Sequence, residues 1–90
     1  MKFKAENNEF HHGFQMTFDN GCTISVQFSK YNYSDQGETT AEVAAWNGNG
    51  DWMMWNEDNW NVLTNGDTDV MPRQTTDDVA MLISELVKLT

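Results

Sequence analysis

Apolar and polar residues alternate in two short runs near the start of the chain, which is the pattern of strands with one buried face. The apolar positions are Phe14, Met16 and Phe18 in the first run, and Cys22, Ile24, Val26 and Phe28 in the second. Between the runs lies Asp-Asn-Gly at 19–21, a turn sequence. The pattern predicts a β-hairpin.

The register of this hairpin follows from the need to place both apolar rows on one face. A two-residue loop of Asn20 and Gly21 would put the rows on opposite faces, because a shift of one residue inverts a strand. A three-residue loop, 19–21, instead pairs Phe18 with Cys22 and gives Gly21 the left-handed position of a type I turn with a G1 bulge. We predict the three-residue loop.

A second hairpin is predicted about Asn-Gly-Asn-Gly at 47–50, between strands at 40–46 and 51–55. A four-residue loop would pair Trp46 with Asp51, and a two-residue loop would pair Trp46 with Met53. Both loops give the same division of faces. One face carries Val43, Ala45, Trp52 and Met54, and the other carries Glu42, Ala44, Trp46, Met53 and Trp55.

Both faces of the second hairpin are therefore apolar, yet one helix can cover only one face of a sheet. A further hairpin of residues 59–64 and 68–71, turning about Asn65-Gly66-Asp67, is the candidate cover for the other face. Pro72 is predicted to end the β region. Residues 1–12 are expected to form an edge strand or an arm.

The C-terminal segment predicts an amphipathic helix over 76–89. Its apolar residues are spaced at i, i+3, i+4 and i+7, at Val79, Leu82, Ile83 and Leu86. Thr75 and Asp78 have the spacing of a capping box. The expected fold is α+β: an antiparallel β-meander of four to six strands within 14–71, packed against one C-terminal helix, in a single domain of residues 1–90.

The net charge and its distribution limit the classes of partner that this protein can bind. The net charge is −9, and no basic residue lies between Lys30 and Arg73. That stretch holds eight carboxylates, Asp35, Glu38, Glu42, Asp51, Glu57, Asp58, Asp67 and Asp69. Such a field repels nucleic acid and anionic membranes and favours encounter with basic surfaces. The alternative is that the charge serves only to keep a Trp-rich domain soluble.

No catalytic, metal or cofactor motif is predicted. Adjacent strand residues such as His11 and His12 point to opposite faces, so at most one of them could join Cys22 on a metal. Asn47, Asn49 and Asp51 have the spacing of a calcium loop, but the required glycine and glutamate are missing, which favours a hairpin turn. Paired carboxylates at 57–58 and at 67 and 69 suit exposed turns better than a glycosidase site. We expect a non-enzyme.

The compartment is predicted from two features of the sequence. A single cysteine, Cys22, allows no internal disulfide, and the first residues contain no apolar run that could act as a signal or a membrane span. We expect a reducing cytoplasm and no membrane association.

Four tryptophans close together are the most unusual feature. Trp46, Trp52, Trp55 and Trp60 lie within fifteen residues, together with Met53 and Met54. Trp and Met are enriched at protein interfaces, although at least two of the Trp side chains could equally belong to the core. The predicted partner-binding residues are Glu42, Trp46, Asp51, Met53, Trp55, Glu57, Asp58 and Trp60.

The layout of residues 13–28, 32–33, 41–44 with Trp46, and 78–80 resembles that of a family of small uncharacterised proteins of tailed bacteriophages. The resemblance implies a protein made in the cytoplasm of an infected bacterium, and no catalytic residues. It would occupy a basic surface of a host or defence protein as an inhibitor or adaptor, in some cases by imitating nucleic acid. The alternatives are a virion-associated or self-associating accessory protein, such as a homodimer, and a carbohydrate-binding module that uses exposed Trp.

Overall fold

The computed structural model of the chain describes residues 1–7, 12–28, 40–64 and 66–90. Within these residues an antiparallel sheet of seven strands precedes one helix, which confirms the predicted α+β arrangement. The elements are β1 (Lys2–Asn7), β2 (His12–Thr17), β3 (Thr23–Gln27), β4 (Thr40–Trp46), β5 (Trp52–Asn56), β6 (Asn59–Val62), β7 (Met71–Thr75) and α1 (Thr76–Val87).

Strands β1 to β6 follow one another across the sheet as a meander, and β7 also pairs with β4. The outer edge of β4 is thus shared by two strands. Near its end β4 pairs with β5, through Ala45–Met53 and Trp46–Trp52, and near its start it pairs with β7, through Thr40–Thr75. The β5–β6 hairpin therefore diverges from β4, and β7 takes its place along the edge.

The prediction that Pro72 ends the β region is wrong, because Pro72 lies inside β7. Between Val43–Met71 and Ala41–Gln74, β7 advances three residues while β4 advances two, which marks a β-bulge. Proline is tolerated at a bulge because the ladder there does not use every backbone donor. Arg73, the next residue, has a positive φ of 56°.

The predicted hairpin about 65–67 does not form as such. Strand β6 pairs with β5 across a tight turn at Glu57 and Asp58, and β7 pairs with β4. Residue 65 lies outside the described residues. This extra pairing of β7 raises the number of strands above the four to six expected.

The first hairpin has the predicted register. Phe14 pairs with Val26 and Met16 with Ile24, and the backbone N–H of Phe18 donates to the carbonyl of Cys22 at 2.9 Å. Gly21 has a φ of 86°, as a G1 bulge requires. The argument from one shared apolar face is therefore confirmed.

The second hairpin has a register that neither predicted loop allows. Trp46 pairs with Trp52, not with Asp51 or Met53, and the N–H of Asn47 donates to the carbonyl of Asp51. The loop thus has three residues, 48–50, with Gly50 at a φ of 84°, which repeats the turn of the first hairpin. One residue of shift moves Met53 and Trp55 to the face of Val43 and Ala45, and Trp52 and Met54 to the opposite face.

The core lies between one sheet face and α1. Ile24, Val43, Leu82 and Leu86 are its largest fully buried side chains. The predicted capping box is present: the N–H of Asp78 donates to Thr75 Oγ1, and the N–H of Thr75 donates to Asp78 Oδ2. The helix ends at Val87 rather than at 89.

Residues 2–7 form an edge strand, one of the two conformations expected for the N-terminal segment. Strand β1 pairs along its whole length with β2, from Lys2–Thr17 to Asn7–His12. The connecting residues 8–11, which include His11, lie outside the described residues. Strand β1 thereby adds Lys2, Lys4 and Glu6 to the sheet face that α1 does not cover.

Candidate binding groove on the open sheet face

The sheet face opposite α1, here called the open face, carries polar rows that run across the strands. Cross-strand pairing places side chains of the same parity beside one another. Glu6 is in register with Gly13, Gln27 and Glu42 through successive strand pairs; the next row holds Lys4, Gln15, Ser25 and Ala44, and the third holds Lys2, Thr17, Thr23, Trp46 and Trp52.

A groove of about 280 Å³ lies on this face and is here called the open-face groove. Five strands contribute to it, together with Val70 from the segment before β7. Its lining residues are Glu6, Gln15, Ser25, Gln27, Glu42, Ala44, Trp46, Trp52 and Val70. The volume is slightly below the usual range of about 300–1,000 Å³ for small-molecule sites, so it suits one side chain or one small ring.

Two amide groups hold the Glu6 carboxylate at one wall. Gln15 Nε2 donates to Glu6 Oε1 at 2.7 Å, and Gln27 Nε2 donates to Glu6 Oε2 at 2.9 Å. The bond to Gln27 crosses β2 at Gly13, where there is no intervening side chain. A Cβ at Gly13 would overlap the carbonyl oxygen of Val26, so this position requires glycine.

Gln27 lies at the base of the groove with one unused acceptor. It is 8% exposed, and its Nε2 also approaches Ser25 Oγ at 3.2 Å. Its Oε1 is buried and has no hydrogen-bond partner among the described residues. The amide cannot be turned around to use this oxygen, because Oε1 would then face the Glu6 carboxylate, and two acceptors repel each other. A buried acceptor without a donor costs free energy.

A pair of indole rings forms the opposite wall. The ring centroids of Trp46 and Trp52 lie 5.5 Å apart at an interplanar angle of 31°. Both side chains are half-buried, so that part of each ring remains accessible. An accessible indole can take an apolar contact, a sugar ring or a cation on its face.

The charge of the lining is negative. Glu6 and Glu42 are its charged members, and no Lys or Arg is among the described residues that line the groove. Lys4 is the nearest basic position on this face by register; it is exposed at the edge strand and pairs with Gln15. The groove therefore favours a ligand with positive charge or with several hydrogen-bond donors.

The predicted partner-binding residues do not form one surface. Glu42 and Trp46 line the open-face groove, whereas Met53 is 4% exposed and belongs to the core, which removes it from any docking surface. Trp55 and Trp60 pack against the core on the helix-facing side, with ring centroids 5.7 Å apart.

The three remaining acids of that predicted set are exposed at turns on either end of β5. Asp51 closes the β4–β5 turn, and Glu57 and Asp58 form the β5–β6 turn. These three carboxylates therefore lie at two turns at opposite ends of β5. The other six of the eight predicted residues do not line the open-face groove.

Four polar groove residues and one aromatic were missed by reasoning from the sequence, namely Glu6, Gln15, Ser25, Gln27 and Trp52. The sequence signal that could have identified them is the set of polar positions in the first hairpin, which carry amide and hydroxyl side chains instead of charged ones. Such a row is typical of a sheet face that is only partly open to water. Glu6 could not be assigned to it without knowing that β1 pairs with β2.

Two further residues have side chains that can take part in catalysis or metal binding, Cys22 and His12. Cys22 is buried, and its burial raises the pKa of the thiol above its ordinary value of 9.0. His12 contacts Asn7 Oδ1 through Nδ1 at 2.9 Å. Among the described residues, no group of three or more His, Cys, Asp or Glu side chains is arranged to hold a metal ion.

A second cavity, of about 370 Å³, lies between α1 and the helix-facing side of the sheet. Its walls are mainly apolar and include Phe14, Phe28, Val79 and Ile83. Phe28 and Thr40, which flank the undescribed residues 29–39, also lie on its rim. The cavity contains no charged side chain among its described lining residues.

Fold and site together define an α+β domain with an acidic, tryptophan-walled groove on the open face of its sheet. Comparisons with protein-family models, with curated proteins and with solved structures find no match to this chain. The resemblance to tailed-phage proteins therefore stays a prediction. Within the described residues, no helix has the length and apolar character needed to cross a bilayer.

Proposed function

We propose that this protein is a binding protein, not an enzyme, and that its open-face groove receives part of a basic surface of another protein. The observation that carries the proposal is the lining of the groove: its described residues include the Glu6 and Glu42 side chains and the Trp46–Trp52 pair, and no Lys or Arg is among them. A basic side chain would gain both charge-assisted hydrogen bonds and contact with an indole face.

The net charge of −9 adds a long-range contribution to this proposal. Negative charge distributed over the molecule accelerates encounter with a basic partner, while the groove provides the local contacts that slow dissociation. The resemblance to phage proteins suggests a host or defence protein as the partner, including one that normally handles nucleic acid.

Two variants with equal charge separate the groove from the overall field. Glu6→Gln with Glu42→Gln removes two charges from the groove, and Glu57→Gln with Asp58→Asn removes two charges from the β5–β6 turn. Each double variant changes the net charge from −9 to −7, since −9 + 2 = −7. Titration with a basic peptide, followed by Trp fluorescence, should show about tenfold weaker binding for the groove variant and at most about twofold for the turn variant.

Equal losses in the two variants would mean that only bulk charge matters, and the groove would have no specific role. Binding of the unmodified protein should also weaken as salt is raised from about 50 to about 300 mM, because screening shortens the range of the field. Thermal unfolding of both variants provides the control for folding. If neither oligolysine nor oligoarginine binds at low salt, the proposed function is wrong.

A carbohydrate ligand is the second candidate, and one observation favours it. The Trp46–Trp52 wall stands beside amide, hydroxyl and carboxylate side chains, which is the combination that stacks on a sugar ring and bonds its hydroxyl groups. A panel of neutral oligosaccharides would then change the Trp fluorescence, and the affinity would not depend on salt. A salt-dependent peptide signal without any sugar signal would exclude this candidate.

A further inference from the structure

Strand β1 forms an open edge of the sheet. It pairs with β2 on one side, and among the described residues no strand lies on its other side. Every residue of β1 is exposed except Glu6, which is half-buried, and the apolar side chain of Phe3 is 76% exposed. An edge of this kind offers unpaired backbone donors and acceptors to another strand.

The pairing of β2 determines which residues of β1 have free backbone groups. The N–H of Phe28 donates to the carbonyl of His12, so the even-numbered residues of β2 direct their backbone groups to β3. The odd-numbered residues of β2 therefore bond to β1, where their register partners are residues 2, 4 and 6. The N–H and C=O groups that point outward from the edge belong to the other three residues, Phe3, Ala5 and Asn7.

Charge distinguishes the registers in which a second copy of the chain can pair with this edge. Residues with outward groups must face one another, so a two-fold axis can pass through any residue from 3 to 6. An axis at Lys4 or at Glu6 places that residue opposite its own copy, and an axis at Phe3 places Lys2 opposite Lys4. Like charges directly opposite each other destabilise a sheet. An axis at Ala5 instead places Lys4 opposite Glu6 on both sides.

We infer that two copies of this protein form a dimer by antiparallel pairing of β1 with β1 about a two-fold axis at Ala5. Ala5 then pairs with its own copy and Phe3 pairs with Asn7, and each such pair exchanges two backbone hydrogen bonds. The Phe3 side chain lies diagonal to Ala5 of the second copy, which covers part of its apolar surface. The inference goes beyond the proposed function, because it requires the edge of β1 and not the tryptophan pair.

The β1 edge suits the association of two acidic molecules. It carries two of the five basic residues of a chain whose net charge is −9, so repulsion between the copies is reduced there. Lys4 has no ion-pair partner among the described residues. Glu6 accepts one bond from an amide on each oxygen, and each oxygen keeps a second acceptor site for a lysine of the second copy.

The helix leaves this edge free. It packs mainly over β4 and β7, and β4 is three strands away from β1, or about 14 Å at the usual strand spacing. The two-fold axis is perpendicular to the sheet, so the helices of the two copies lie on the same side of the continuous sheet and far apart.

Proline at position 5 tests the pairing. The N–H of Ala5 points outward, so Ala5→Pro removes bonds to the second copy and none within the protomer. Ala5→Val keeps the N–H and is the control. At high concentration, sedimentation equilibrium of the unmodified protein and of Ala5→Val should approach twice the protomer mass of 10.3 kDa. Ala5→Pro should weaken dimerisation at least about tenfold, with thermal unfolding as the check on folding.

Two charge reversals on β1 test the pairing a second time. Lys4→Glu places a carboxylate opposite Glu6 of the second copy, whereas Lys2→Glu changes the net charge equally and lies opposite the neutral Asn8. We expect Lys4→Glu to weaken dimerisation about tenfold and Lys2→Glu about twofold. This comparison decides the question if Ala5→Pro does not fold.

Disulfide cross-linking tests the register. Ala5→Cys should link to its own copy under mild oxidation, because the Cα atoms of such a pair lie about 5.5 Å apart. A mixture of Phe3→Cys and Asn7→Cys should link as well. Phe3→Cys alone should not, since residue 3 lies about 13 Å along the strand from its own copy. The native Cys22 is buried.

Several results would overturn the inference. The unmodified protein remains monomeric up to about 1 mM, or Ala5→Pro dimerises as well as Ala5→Val, or Lys4→Glu behaves as Lys2→Glu does. Efficient linkage of Phe3→Cys to its own copy would show a different register. Oligomers that grow beyond the dimer would indicate head-to-tail pairing of β1 with the other sheet edge, and the symmetric dimer would then be wrong.

Discussion

Gly13 occupies a position where the backbones of β2 and β3 approach too closely for any side chain. A Cβ there would overlap the carbonyl oxygen of Val26. We expect Gly13→Ala to destabilise the protein by about 3 kcal/mol, because the overlap is with backbone and cannot be relieved by a rotamer change. Gly50→Ala is the control: Gly50 has a φ of 84° but free space around it, so about 1 kcal/mol is expected. Equal losses in urea denaturation would contradict the role of the overlap.

Asn20 connects the first turn to the end of the helix. Its Nδ2 donates to the carbonyls of Leu86 and Leu89 at 2.9 and 2.8 Å, and its Oδ1 accepts from the N–H of Cys22. The helix has no basic residue in its last turn, and the last carbonyls of a helix have no partner within the regular helix. The carbonyl of Leu86 also accepts from the N–H of Leu89 at 3.2 Å, so Asn20 adds a second donor there.

Replacement of Asn20 should therefore destabilise both the first turn and the C-terminal end of the helix. We expect Asn20→Ala to lower the free energy of unfolding by about 2 kcal/mol. Asn20→Asp keeps the acceptor for Cys22 but places a negative charge at the negative end of the helix dipole, so it should be at least as destabilising. Chemical denaturation measures both. An Asp variant as stable as the unmodified protein would show that the donors contribute little.

Cys22 provides a prediction about pH. Burial raises the pKa of its thiol, so the folded protein binds the proton more tightly than the unfolded chain does. The associated stability is present below the ordinary thiol pKa of 9.0 and is lost as the pH rises through the higher folded pKa. Unfolding should become easier above about pH 9, and Cys22→Ser should reduce this alkaline loss. A native thiol that reacts rapidly with a thiol reagent at neutral pH would contradict the burial.

At the scale of elements, the two main hairpins show when the alternation of apolar and polar residues is sufficient to predict a register. In the first hairpin one face is apolar and the other polar, so only one loop length keeps the core together, and the prediction was correct. The second hairpin is apolar on both faces, and the loop sequence 47–50 fits several turns. Parity therefore cannot choose among the registers. The observed three-residue loop is supported locally by Asn47, whose Oδ1 accepts from the N–H groups of Asn49 and Asp51.

The β5–β6 turn has a conformation that its residues disfavour. Glu57 and Asp58 have φ values of 53° and 62°, as in a type I′ turn, whose preferred sequence is Asn-Gly. We expect Glu57→Asn with Asp58→Gly to stabilise the protein by about 1–2 kcal/mol, since non-glycine residues are strained in this region. The melting temperature measures the gain. The charge-matched Glu57→Gln with Asp58→Asn separates strain relief from loss of repulsion, and an equal gain from that pair would assign the effect to charge.

At the scale of the whole molecule, we expect the repulsion among negative charges to exceed the attraction within the ion pairs. The ion pairs among the described residues, Lys88–Glu85 and the Met1 amino group with Asp19, are both exposed and contribute little. Salt should therefore screen more repulsion than attraction. We expect the unfolding free energy to rise by about 1 kcal/mol between low salt and about 0.3 M sodium chloride. A midpoint that falls as salt is added would mean that ion pairing dominates.

The arrangement of the whole sheet explains why the predicted partner-binding residues do not form one surface. Trp46, Trp55 and Trp60 are close in sequence, but strand parity places Trp46 on the open face and the other two on the helix-facing side. The open-face groove instead combines β1 to β5, so its residues come from Glu6 to Trp52 and from Val70. Residues that are close in sequence can be far apart in a meander. Side chains alternate between the two faces along each strand, and neighbouring strands run in opposite directions.

The amino-acid sequence alone determined the class of the fold, the first hairpin with its register, and the capped C-terminal helix. Each depends on contacts within about twenty residues, on turn geometry or on the period of apolar positions. The tertiary structure alone decided the second register, the pairing of β7 with β4, and the meeting of Glu6 with Gln27. These depend on pairing between distant segments, where several arrangements satisfy the local pattern and only the packing of the whole sheet selects one.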